Sequence, residues 1–127
     1  MFELKVITDF AAAHQLRMVG EKCENLHGHN WKVEVYVTGE KLDEAGVLMD
    51  FGILKKHLAE VMDTIDHKFL NELPFFSENR QPSSENIACY IADKLQARIQ
   101  SPSVRVDRVS AWESNNACAT YICKNKK

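Results

Sequence analysis

His27-Gly28-His29 stands just before an alternating apolar run that opens at Trp31. Residues two apart on a strand point to the same face, so both imidazoles aim at one point. Their parity matches Trp31 and Val33, the face expected to pack under helices. Two imidazoles buried there are costly without partners, and a zinc ion would satisfy one nitrogen of each. His14 follows the first predicted strand. If the first two strands pair as an antiparallel hairpin, its ring reaches the same site. Three histidines with an open fourth position form the pattern of a catalytic zinc, since structural sites are usually closed with cysteines. His-x-His alone also fits two partly exposed histidines at a strand end.

Cys23 adds weight. It precedes His27 by four residues, on a polar loop where a nearby cation would favour the thiolate. It could close the metal site as a fourth ligand, act as a base or nucleophile beside it, or be a surface thiol with no role. Cys89, Cys118 and Cys123 fall on an apolar helix stripe or in strands and read as small hydrophobes. Asp66-His67 follows the first predicted helix. An Asp there can hold an imidazole in one tautomer, but spacing alone favours a His at a helix C-terminus. His57 lies off the apolar stripe and reads as solvated. Glu113, beside Trp112 at a strand end, could grip a planar donor pair through two parallel hydrogen bonds; on spacing alone it is an exposed turn carboxylate.

The elements that must position these groups follow from periodicity. Phe2 to Asp9 alternates and predicts a strand, and Trp31 to Thr38 does so more cleanly. Asp50 reads as the N-cap of a helix carrying Phe51, Leu54, Leu58, Val61, Met62 and Ile65 on one stripe. Asp66 to Pro82 reads as a structured loop with two exposed aromatics, Phe75 and Phe76. Ser83 or Ser84 caps a second helix with Ile87, Ala88, Ile91, Ala92, Leu95 and Ile99 inward, stopped by Pro102. Val104 to Glu113 and Ala117 to Cys123 predict a hairpin turning at Ser114-Asn115-Asn116. The order β-β-α-α-β-β lacks strand–helix alternation. It predicts an α+β fold: a four-stranded antiparallel sheet with both helices on one face.

Composition bounds the function classes. The 127 residues fit one domain spanning 1–127. Sixteen basic and eighteen acidic residues leave a net charge of −2, which argues against a sequence-independent nucleic-acid binder. No apolar run is long enough to span a bilayer, and the first residues show no secretory signal. The four scattered cysteines are therefore expected as reduced thiols in a cytoplasmic protein.

Several separated motifs occur together and in order. They are Ala12-Ala13-His14, Cys23-x-x-x-His27-Gly28-His29, Asp66-His67-x-x-Leu70-Asn71, Pro82-Ser83-Ser84-Glu85-Asn86 and Trp112-Glu113-Ser114. In these, and in its element order, nearly the whole chain resembles the 6-pyruvoyl-tetrahydropterin synthase superfamily. The short Cys23–His27 spacing and Met49-Asp50-Phe51 resemble its bacterial branch, the 6-carboxy-5,6,7,8-tetrahydropterin synthases of queuosine biosynthesis. The resemblance implies a zinc-dependent lyase that converts 7,8-dihydroneopterin triphosphate and releases acetaldehyde and triphosphate. A synthase making the 6-pyruvoyl product, or a pterin- or zinc-binding protein without turnover, is the alternative. It implies His14, His27 and His29 as zinc ligands, Cys23 as general base, and Asp66 with His67 as a second proton-transfer pair. Glu113 would anchor the pterin edge, with Ser83 and Ser84 lining the pocket. Gln15 replaces an Arg common in the family, leaving Arg17 and Lys22 as candidates to hold the triphosphate. The resemblance also implies a homo-oligomer closed into a β-barrel, a hexamer of two trimers with active sites between subunits.

Overall fold

A computed structural model describes residues 1–17 and 26–124. The first two strands form one long antiparallel hairpin. β1 (Phe2–His14) pairs with β2 (His27–Gly39) along its whole length, from Phe2 opposite Gly39 to His14 opposite His27. Both strands run further toward the histidines than alternation alone indicates. β1 continues past Asp9 because Phe10, Ala12 and His14 keep the inward parity; alanines on both faces hide that alternation.

Inward residues of β2 (Trp31, Val33, Val35 and Val37) are fully buried. Across them lie Val106, Val109 and Ala111 of β4 (Arg105–Ser114), which is followed by β5 (Ala117–Ile122). α1 (Phe51–Asp63) contributes Leu54, Leu58 and Val61 to this core, and α2 (Ser84–Arg98) contributes Ile87, Ala88, Ile91 and Leu95. Each such side chain contributes roughly 1.5–3 kcal/mol on burial. Asp50 caps α1 through the Gly52 amide, and Ser83 rather than Ser84 caps α2, accepting from the Asn86 N–H. Gly39 is confined by packing: a Cβ there would stand 2.4 Å from the Ser103 carbonyl oxygen.

The sheet differs from the expected four antiparallel strands. It has five, in the order β3 (Lys68–Phe69)-β1-β2-β4-β5, and is mixed. The added strand, β3, runs parallel to β1 beside Ala12 and Ala13. Two residues carry no readable period, so this pairing is a tertiary event within the predicted loop. The same segment corrects the reading of its aromatics. Phe76 is buried and stacks on Tyr90, while Phe75 is half-buried and meets Tyr90 edge-on at 5.0 Å.

Candidate metal centre and adjoining groove

The hairpin register brings the three histidines together. His14 ends β1 directly opposite His27, and His29 lies opposite Ala12. The Nε2 atoms of His14 and His27 are 3.0 Å apart. One donor atom from each of the three rings and one Glu113 oxygen all lie within 4.8 Å of one another. His14 is fully buried, and its Nδ1 donates to the Pro82 carbonyl at 2.7 Å. In the neutral ring that bond fixes the proton on Nδ1 and leaves a lone pair on Nε2, the form a metal ligand needs. Two nitrogens sharing a tetrahedral zinc would stand about 3.3 Å apart. The donor set therefore fits such an ion. Trp31 is the floor: its ring meets His14 at 5.2 Å and His29 at 5.5 Å edge-on, and Phe10 stacks beneath it. Nothing in the spacing marks this role; Trp31 reads only as the first residue of a strand.

Glu113 reaches the cluster by strand alternation: Val109 and Ala111 face the core, Trp112 faces out, and Glu113 continues the inward parity. Against β5 the register then shifts, with Trp112 opposite Cys118 and Ser114 opposite Ala117, so Glu113 is the extra residue of β4 there. Trp112 is held on the outer face of the sheet, where its indole N–H donates to Glu34 at 2.6 Å. Glu113 turns inward instead, with carboxylate oxygens 3.5 Å from His29 Nε2 and 3.9 Å from His14 Nε2. It is thus more than the exposed turn carboxylate that its spacing suggests. Ser84 Oγ lies 3.5 Å from Glu113, whereas the Ser83 hydroxyl is occupied by the helix cap.

Asp66 and His67 form a second pair, outside the donor cluster. They lie past the end of α1, so the helix-terminus reading gives way to an edge-strand setting. The Asp66 carboxylate accepts the Ala11 N–H at 2.9 Å, and the His67 N–H donates to the Ala11 carbonyl at 2.6 Å. Asp66 Oδ2 stands 3.0 Å from His67 Nδ1. The Ala11 amide, then the His67 ring, hold the Asp66 carboxyl below its ordinary value. His67 adopts φ 60°, the only non-glycine in the left-handed region among the described residues. Backbone held there costs on the order of 1 kcal/mol and concentrates at functional sites. The His67 side chain is 81 % exposed and borders an open groove of about 500 Å³, with Ala11, Ala13, Gly28 and His29. Gly28 is not required by sterics, since a Cβ there would meet only the Ala12 carbonyl at 3.7 Å. Gly28 instead lies on the groove floor, on the face of the hairpin opposite to the three imidazoles.

Cys23 and Lys22 lie outside the described residues. Arg17, the other candidate for the triphosphate, is paired with Glu78 at 2.8 Å. Burial pushes the Cys123 thiol up to about 11 and raises Cys89, which makes both poor nucleophiles. Cys118 is exposed, so the packing role expected of it does not hold. His57 is half-buried and stands 3.5 Å from Glu60, rather than fully solvated.

The fold and the cluster define the class: an α+β protein with a histidine-rich centre able to take a metal. The chain belongs to the 6-pyruvoyl tetrahydropterin synthase family, whose profile matches residues 3–123, and so to pterin-synthase-type lyases acting on small pterins. It is 35% identical over 130 residues to the 6-carboxy-5,6,7,8-tetrahydropterin synthase of Bacillus subtilis, covering 99% of this chain and 87% of that one. It is 38% identical over 106 residues to the dihydroneopterin monophosphate aldolase of Pyrococcus furiosus, covering 84% of each. The solved Caenorhabditis elegans 6-pyruvoyl tetrahydropterin synthase superposes with a TM-score of 0.84 at 29% identity, over 97% of this chain and 96% of that one. Among the described residues no helix is long and apolar enough to cross a membrane.

Proposed function

We propose that this protein is a zinc-dependent 6-carboxy-5,6,7,8-tetrahydropterin synthase, taking 7,8-dihydroneopterin triphosphate and releasing acetaldehyde and triphosphate. The observation that carries the reading is the convergence of His14, His27 and His29, with Nδ1 of His14 committed to Pro82. These three residues would hold the zinc, which when bound would supply Lewis-acid chemistry toward the substrate's side-chain oxygens. The remaining chemistry falls to the chain itself. Protons leave and return at side-chain carbons, which requires bases on both sides of the substrate. Cys23 is one base, and Asp66 with His67 is the other. In that pair Asp66 keeps the imidazole oriented through the 3.0 Å contact. Glu113 accepts from the amino-pyrimidine edge of the pterin, with Ser84 beside it. Ser83 contributes through the helix start it caps.

The working enzyme is a homo-oligomer with active sites between subunits. β5 is a sheet edge, and β1 is paired by β3 at only two residues, which leaves backbone groups open to another copy. Closure into a barrel of two stacked trimers would remove those edges. The likeness to the C. elegans enzyme over nearly the full chain supports a second reading, the 6-pyruvoyl product without acetaldehyde.

Incubation with 7,8-dihydroneopterin triphosphate separates the two. Acetaldehyde with a carboxy-pterin is the expected outcome; a pyruvoyl-pterin alone would establish the second reading, and tight binding without product would refute both. In the same assay Cys23→Ala should retain zinc and bind pterin, with turnover reduced about 100-fold or more. Loss of zinc from a folded Cys23→Ala would make the cysteine a ligand and overturn its role as base.

A further inference from the structure

The chain leaving the metal site is held by a set of amide bonds that the zinc reading does not use. Among the described residues, pairing of β1 with β2 runs to His14, and β3 pairs with Ala12 and Ala13. Beyond that point two side chains grip alternate residues of the outgoing segment. Asn71 accepts the Gln15 N–H at 2.9 Å through Oδ1 and donates to the Gln15 carbonyl at 2.7 Å through Nδ2. Gln81 repeats the pattern on Arg17: its Oε1 accepts the Arg17 N–H, and its Nε2 donates to the Arg17 carbonyl at 2.8 Å. Each carboxamide offers one acceptor and one donor to a single residue's backbone, as a neighbouring strand would. The grip is itself anchored. Asn86, in the first turn of α2, donates to the Gln81 carbonyl at 2.8 Å, and the next residue, Pro82, supplies the carbonyl that orients His14.

We infer that Asn71 and Gln81 are positioning residues for the metal centre, two side-chain rungs that hold the backbone after His14 in register with the Pro82 carbonyl. The inference rests on the zinc reading and deepens it. The His14 ring is oriented by Pro82, and Gln15 and Arg17, which follow it along the chain, are each held at both backbone groups by Asn71 and Gln81, neither of which is in the sheet. Groups that orient a metal ligand typically govern metal affinity by 10–100-fold. Only an amide satisfies both backbone groups at once. A carboxylate of the same shape would keep the acceptor, lose the donor and stand against a carbonyl oxygen.

The test uses the full-length zinc-loaded protein and reads zinc release into a colorimetric chelator, with the visible spectrum of the cobalt-substituted form as a second readout. Asn71→Asp and Gln81→Glu should each release zinc about 10-fold faster and alter the cobalt bands, while far-UV circular dichroism stays unchanged. Thr64→Val, which removes a hydroxyl bonded to Tyr90 and the Val61 carbonyl and to neither carboxamide, should lower the melting temperature without changing zinc release. If Asn71→Asp fails to fold, Gln81→Glu alone decides. Release rates equal to wild type in the folded variants, or a rate in Thr64→Val raised as much as theirs, would overturn the inference. Wild-type protein that binds no zinc would instead overturn the underlying reading.

Discussion

Glu34 shows how a single residue serves the site without touching it. It lies nearly buried on the outer face of the sheet, where one oxygen accepts from Trp112 and the other pairs with Lys5 at 2.7 Å. Lys5, then burial working in the opposite sense and then Trp112, leave the carboxyl below its ordinary value of 4.5. By anchoring Trp112 on one face, Glu34 helps turn Glu113 to the other. A carboxyl whose folded value is depressed stabilises the native state above its unfolded value. That contribution is lost as pH falls through the lower, folded value. Glu34→Gln should therefore cost about 1 kcal/mol at pH 7. The gap from wild type should close below about pH 4.5. Urea unfolding of both proteins between pH 7 and 3 checks this, and a gap independent of pH would assign the cost to shape alone.

Among the elements, the strands carry the histidines and Glu113, and the connection from α1 to α2 carries most of what surrounds them. It supplies Asp66 and His67, the edge strand β3, the Pro82 carbonyl and the cap of α2. Ser83 accepts the Asn86 N–H at 3.2 Å, and Asn86 in turn holds the Gln81 carbonyl. Ser83→Ala should destabilise the fold by about 1 kcal/mol. For a chain of this size that lowers the melting temperature by roughly 4 °C. Ser83→Asp, which restores a capping oxygen and suits the helix dipole, should recover most of the loss in a thermal scan.

For the molecule as a whole, a ligand bound only by the native state adds stability according to its concentration over its dissociation constant. Zinc at about 100 times that constant should contribute about 2.7 kcal/mol and raise the melting temperature by roughly 10 °C. Chelation should reverse the rise, and His27→Ala should abolish it while leaving a folded protein. A melting temperature indifferent to zinc in wild type would mean that the histidines converge for another reason.

Period-two and helical patterning sufficed for β2, α1, α2 and β4, because each has a buried face whose spacing is written locally; β5, which buries no residue, was legible from the turn at Ser114-Asn115-Asn116. The convergence of His14 with His27 and His29 was legible too, conditional on one hairpin. Strand parity places residues two apart on one face, and antiparallel pairing returns the first strand's end to the second strand's start. Beyond that point local pattern is silent. β3 is two residues long and owes its pairing to the Ala12 and Ala13 backbone of β1. Glu113 shares the inward parity of Val109 and Ala111, but its approach to the histidines depends on β4 pairing with β2, which has no local mark. Phe76 is buried by Tyr90, a residue of another element. Pro82 orients His14 through a carbonyl that every residue type possesses, and Asn71 and Gln81 act on backbone atoms distant in sequence. Residue types and their period thus determined which groups could do chemistry and which faces they occupy. Tertiary structure alone decided the contacts between backbone and side chain across separate segments, because such contacts depend on distance in space and have no period along the chain.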